Sequence, residues 1–267
     1  MPVLSTISPA ATPLARILAH EAAYWSCISA VERRDGWNLY HNTSLRPRLD
    51  PNHASDFRAA GGTGDAIARE IVAFYEALGA AALAIVDVLA TPRDLADCLV
   101  RAGFREWPGA TSDLLLYVGP DEGRPEAHDV EVVDTDATRE EWAAAVEEGA
   151  DAAAREVLRR RYLAEIADPR VTPYLARVEG RAVARGELFS CDGLGRVEAI
   201  RTLAPYRGRG LAAAIVRRAV RDSLARGDAL TYLYAEPGGV AARLYTRLGF
   251  RLVTPRAARA FLRDASR

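Results

Sequence analysis

Lysine is missing altogether: the 35 basic residues of this 267-residue chain are all arginine. So complete an absence reads as codon bias from a GC-rich genome rather than as chemistry. Cysteine is scarce. Cys27, Cys98 and Cys191 are scattered without metal-ligand spacing, so reduced structural thiols in a cytoplasmic protein are the expectation. The histidines (His20, His41, His53 and His128) form no metal signature either, and no metal is expected. No apolar run approaches the ~18 residues that a membrane-spanning helix needs. A basic start followed by an apolar core is also missing, so no secretory leader is expected. Net charge is −1, which argues against a strongly electrostatic nucleic-acid binder while leaving room for a local basic patch.

What is present is an ordinary globular composition, 49% hydrophobic and 27% charged, long enough for one large domain or two small ones. Pro120 to Pro125 is the best linker candidate and divides the chain into 1–122 and 126–267. In the second part the pattern predicts a strand over Val130–Val133 and one or two helices over Thr138–Ala167. Thr172–Val178 and Ala182–Phe189 read as a hairpin turning at Glu179-Gly180. A strand over Arg196–Leu203 is followed by helix, strand, helix and strand, with Arg259–Leu262 as a last short strand. This order predicts an α/β (α+β) fold, a mixed twisted sheet flanked by helices.

The richest stretch is Tyr206-Arg207-Gly208-Arg209-Gly210-Leu211-Ala212, between a strand-like run and a helix-like run from Leu211 to Ala225. Amides in the first turn of a helix have no intrahelical partner, and the helix dipole favours negative charge there. The glycines let a phosphate approach the backbone, and Arg207 and Arg209 add charge. By itself such a turn is equally an arginine-rich surface loop. A second signal lies downstream: Ala241-Ala242-Arg243-Leu244-Tyr245-Thr246-Arg247-Leu248-Gly249-Phe250 reads as a short helix closed by glycine and followed by a strand.

Together these motifs resemble the GCN5-related N-acetyltransferase (GNAT) family. Its phosphate motif, Arg/Gln-x-x-Gly-x-Gly/Ala, matches Arg207, Gly210 and Ala212. Its second motif, Asn-x-x-Ala-x-x-Leu-Tyr-x-x-x-Gly-Phe, matches Ala241, Leu244, Tyr245, Gly249 and Phe250, but Gly238 stands at the Asn position. The resemblance covers about residues 128–267.

The first part carries a shadow of the same plan. Gly62-Thr63-Gly64-Asp65-Ala66 opens a helical run to Leu78, Ala82–Leu89 reads as a strand, Arg93–Ala102 as a helix ending in Gly103-Phe104, and Asp113–Val118 as a last strand. Gly64 and Gly210 are 146 positions apart, as are Gly103 and Gly249. The constant offset predicts a tandem chain whose N-terminal copy is truncated and degenerate. At that offset Gly61 and Thr63 replace Arg207 and Arg209, and Leu99 replaces Tyr245.

The resemblance implies acetyl transfer from acetyl-CoA to an amine of a small-molecule acceptor by direct attack on the thioester. Backbone amides from about Arg209 to Ala212 (Arg209, Gly210, Leu211 and Ala212) would hold the pyrophosphate, with Gly208 also at the cofactor site and Arg207 and Arg209 either on phosphates or solvated. The pantetheine arm would lie along the strand near Thr202 and Leu203, which splays from its neighbour in the family, and a backbone amide there would polarise the carbonyl. Tyr245 would protonate the leaving thiolate, unless it is a packing tyrosine.

The base is least defined. Glu198 lies mid-strand, where burial would raise its pKa toward that of a useful base. Alternation places it on one face with Ile200 and Thr202, and an exposed strand glutamate is the duller reading. Glu187 or a water chain could serve instead. Acceptor-pocket candidates are Trp142, Arg159 to Arg161, Tyr162, the Ser190-Cys191-Asp192 loop, and the clusters Trp37–Asn42 and Asp50–His53, where capping and turn roles compete with binding. Two other readings stay open: an acyl or aminoacyl transferase with an acyl-carrier-protein or aminoacyl-tRNA donor, and a non-catalytic CoA-binding protein. Nucleic acid is expected only in the tRNA case, no membrane partner is expected, and a monomer or homodimer fits.

Overall fold

The structure is a computed structural model and describes residues 12–46, 48–107, 111–119, 128–144 and 151–264. The linker expected at Pro120–Pro125 lies outside the described residues. The fold class is the expected one, a mixed sheet flanked by helices. Contacts divide the chain into two compact units: residues 1–43, 49–111 and 257–267 form the first, and 44–48 and 112–256 the second.

The first unit opens with α1 (Pro13–Trp25), capped by Thr12, whose hydroxyl accepts from the Ala15 amide. Strands β1 (Ala30–Arg34) and β2 (Trp37–His41) form a hairpin, β3 (His53–Ser55) pairs antiparallel with β2, and β4 (Ala82–Asp87) runs parallel to β3. The parallel pair is joined by α2 (Gly64–Ala77), whose Ile67, Ala68, Ile71 and Tyr75 recur at helical spacing and are buried. Then follow α3 (Leu95–Arg101) and the short β5 (Arg105–Glu106). Residues Ala258–Arg263 pair antiparallel with β4.

The second unit begins at β6 (Ser112–Tyr117). Next come β7 (Val130–Val132), α4 (Asp136–Ala144), α5 (Ala152–Ile166), β8 (Val171–Val178), β9 (Arg181–Cys191) and β10 (Leu194–Thr202). They are followed by α6 (Leu211–Ala225), β11 (Leu230–Ala235), α7 (Val240–Arg247) and β12 (Phe250–Arg263), within which the boundary of the two units falls. The strand expected at Arg259–Leu262 is thus the end of one long strand. The strands run β12-β6-β11-β10-β9-β8-β7, with β10 and β11 parallel and α6 as their crossover.

Local chemistry explains the turns. β8 and β9 meet at Glu179 (φ 50°) and Gly180 (φ 79°), and β9 and β10 at Asp192 (φ 51°) and Gly193 (φ 72°), the two left-handed residues that a tight hairpin favours. Leu211, Ala214, Ile215, Ala219, Val220 and Ser223 form the buried stripe of α6. Gly249 must be glycine: at φ 90° an added Cβ would lie 2.2 Å from the Gly119 carbonyl oxygen.

Candidate active site

The phosphate-type turn forms as its composition suggests. After one 3₁₀ turn over Ala204–Tyr206, the chain passes through Gly208 (φ 78°) and Gly210 (φ 89°) into α6. Among the described residues the amides of Gly208 through Ala213 find no acceptor in the chain, so the turn presents a row of unsatisfied donors. Arg207 folds back to donate to the Thr202 carbonyl (3.1 Å), and Arg209 donates to that of Pro205 (3.3 Å). The Arg209 carbonyl lies 2.6 Å from the Nε2 of His128, a neighbour that no sequence signal indicated.

The strand leading to this turn is split from its neighbour. β10 pairs with β11 only from Leu194 to Arg196, so among the described residues the β11-facing edge of Val197–Thr202 has no strand partner. On the other side its register with β9 slips between Glu198 and Arg201, around Ala199, whose φ of 56° is left-handed. This bulge overturns simple alternation. Glu198 sits opposite Glu187, whereas the Ile200 side chain meets the space a Cβ on Gly186 would take, on the other face with Ile215. Glu198 and Ile200 therefore face opposite ways. The Leu203 amide donates to the Val183 carbonyl (2.9 Å) and is not free to polarise a thioester.

Tyr245 is 93% buried, on α7, with its ring 6.1 Å from that of Phe250. Burial pushes its phenol up, the Glu198 charge adds to this and Arg201 opposes it, so all three groups share one region and Tyr245 stays protonated at neutral pH. Glu198 differs from expectation. Burial does raise its carboxyl, but Arg196, bonded to its Oε2 at 2.7 Å, more than reverses this and holds it below the usual range. Glu187 behaves oppositely: it is fully buried, neither carboxylate oxygen has a hydrogen-bond partner, and burial, reinforced by Glu165, drives its pKa well up.

The helices over this face hold the pocket candidates unequally. Trp142 is fully buried and donates from Nε1 to the Gly186 carbonyl (3.1 Å). Arg185 is stacked 4.2 Å from the Trp142 ring and 3.8 Å from that of Tyr162. Arg159 is an exposed partner of Glu140 and Glu156, and Arg160 lies near Glu156, the solvated face of α5. Arg161 is buried and bonded to Glu165 at 2.7 Å. The Ser190–Asp192 loop lies at the start of β10, the end remote from the turn, where Ser190 donates to Asp228. In the first unit Tyr40, Asn52 and His53 are buried, and Asn42 bonds Asn52 and the Ile28 carbonyl, so these asparagines tie loops together. Among the described residues no cluster could hold a metal.

Residues 135–250 match the profile of the Acetyltransferase (GNAT) family. Solved structures resemble nearly the whole chain. A GCN5-related N-acetyltransferase from Kribbella flavida superposes with a TM-score of 0.67 at 20% identity, over 97% of this chain and 98% of its own. A functionally unknown conserved protein from Staphylococcus epidermidis gives 0.64 at 11% identity, over 89% and 95%. A tandem GNAT protein from the clavulanic acid biosynthesis pathway gives 0.58 at 12% identity, over 90% and 84%. These likenesses establish the fold. No curated protein matches the chain.

Proposed function

We propose that the protein is an acyl-CoA-dependent N-acyltransferase that moves acetyl from acetyl-CoA to an amine of a small molecule. The observation that carries this reading is the split between β10 and β11, which leads to the unsatisfied amides of Gly208–Ala213, with Tyr245 in the same core cluster as Leu211. The free edge of Val197–Thr202 suits the amide groups of a pantetheine arm, and the turn suits a pyrophosphate. Gly210 and Ala212 leave the backbone accessible, and Arg207 and Arg209 need only swing outward to reach phosphate oxygens.

In the reaction a neutral amine attacks the thioester carbonyl carbon. The new C–N bond forms, the C–S bond breaks, the amine proton passes to a base, and Tyr245 gives its proton to the leaving thiolate. Holding both reactants in one furrow supplies the proximity gain. Glu198, ionised and half-exposed, is the group positioned to take the amine proton, directly or through water. Its lowered pKa makes it a weak base, so it acts on an amine that gains acidity as the C–N bond forms.

The first unit fits the reading of a degenerate copy. Thr63 caps α2 by accepting from the Ala66 amide (3.2 Å), and Asp65 stands in the first turn, bonded to Arg101 at 2.9 Å. One donor is thus already satisfied and the first turn holds an ion-paired carboxylate where a phosphate site has free amides. Leu99, at the offset position of Tyr245, is fully buried and offers no proton.

Calorimetric titration with acetyl-CoA, then CoA, tests the function. Saturable binding to one site, weakened by Gly210→Glu, is expected, followed by thiol release in an amine screen. An absence of binding overturns the reading.

A further inference from the structure

The face of β9 and β10 beneath α4 and α5 carries charge in an unusual order. Glu187 is opposite Glu198, and Arg185 is opposite Arg201, because the bulge at Ala199 absorbs one residue of β10. Residues opposite one another share a face, so two carboxyl groups are followed, one strand step of about 7 Å along, by two guanidinium groups. Like charges directly opposite are unfavourable in a sheet, and the guanidinium groups of Arg185 and Arg201 form such a pair.

The inner members of both pairs are incompletely satisfied among the described residues. Glu187 is fully buried with both oxygens unbonded, and the 1%-exposed Arg185 donates from one terminal nitrogen to the Trp142 carbonyl (3.4 Å) while its Nε has no acceptor. Arg185 is held by stacking between Trp142 and Tyr162 and does not bond to Glu187. The surrounding charges are already paired, Arg161 with Glu165 and Arg196 with Glu198. The outer members lead to solvent: the Glu198 side chain is 32% exposed, and Arg201 is exposed. Tyr245 lies within the electrostatic reach of both. Buried polar groups without partners are rare in native proteins and call for an explanation. A ligand bearing an amine at one end and an anion at the other gives the Glu187 oxygens the hydrogen-bond partner they lack and sets a negative charge against the two guanidinium groups.

We infer that this bipolar strip is the acceptor site and that the acceptor is a zwitterion, an amino acid whose amine is directed by Glu187 and Glu198 and whose carboxylate is held by Arg201 and Arg185. This rests on the N-acyltransferase reading and names the substrate class of the same site. The carboxylate end fixes the orientation that turns the amine toward the thioester beside Tyr245. A simple amine lacks that handle and leaves the guanidinium pair unanswered.

The test uses the full chain, saturating acetyl-CoA and thiol release as the readout. The acceptors are the twenty L-amino acids, β-alanine and γ-aminobutyrate, each run against its carboxamide and its decarboxylated amine. At least one acid is expected to exceed its neutral-ended counterparts by tenfold or more in kcat/KM. Arg201→Ala, a change at an exposed position, should collapse that ratio toward one through KM, and Arg201→Lys should restore part of it. Equal use of acids and amides, or a ratio unmoved by Arg201→Ala, overturns the proposal. If no acceptor releases thiol, the same pairs are titrated calorimetrically into the CoA-loaded protein. Acid-selective binding that is lost in Arg201→Ala then upholds the strip while the transfer reading fails. No acid-selective binding overturns the strip.

Discussion

Glu187 and Glu198 are opposite one another across β9 and β10, yet their surroundings drive their carboxyls apart. Glu198 is paired with Arg196 and stays ionised, whereas Glu187 is buried without a partner and keeps its proton. Two carboxyls separated in this way hold different tasks at one pH.

The raised pKa of Glu187 makes stability fall with pH. The unfolded carboxyl ionises near its ordinary value of about 4.3, while the folded one resists ionisation, so the native state is penalised as pH rises from there toward the folded pKa. Glu187→Gln should therefore match the parent near pH 4 and become the more stable protein by pH 8. Urea midpoints of both proteins across that range check it, and a variant less stable at pH 8 contradicts the protonated assignment.

Tyr245→Phe keeps the ring packed against Phe250 and removes only the phenol. Single-turnover transfer should slow by about 10²–10⁴ while acetyl-CoA affinity stays within a few fold. An unchanged chemical step assigns Tyr245 to packing alone.

Gly210→Glu places a side chain at φ 89° and a negative charge where six amides face outward. The left-handed position costs roughly 1–2 kcal/mol, which the fold should survive, and calorimetry should find no acetyl-CoA binding. Gly62→Glu, in the matching turn of the first unit, should leave the isotherm as in the parent. If Gly62→Glu also abolishes binding, the first unit is not a silent copy.

Trp142→Ala removes a fully buried indole, its bond to the Gly186 carbonyl and one side of the Arg185 stack. A loss of about 3–5 kcal/mol is expected from the denaturation midpoint. A smaller loss, below about 1 kcal/mol, would show that α4 contributes little to holding β9.

Much of this was legible along the chain. Leu211–Ala225 is α6 to the residue, because a glycine turn, an apolar stripe and the closing Gly227 are all local. The Glu179-Gly180 hairpin and the Gly249 stop were readable for the same reason, since φ above zero selects glycine and its nearest substitutes. Ala199 carries no such mark. Its left-handed φ depends on how β10 meets β9, so the face of Ile200 and the company of Glu198 could not be read from alternation.

The sequence by itself determined most elements of the second unit, the anion-ready turn and the phenol on α7, because each follows from residues within one or two turns of each other, whereas α1 and the short β1, β2 and β3 carry no such local mark. Tertiary structure alone decided which charges meet. Glu187 is set opposite Glu198 and left buried without a partner, and Arg185 is clamped between two rings, since pairing and desolvation depend on distances between segments that are remote in the chain.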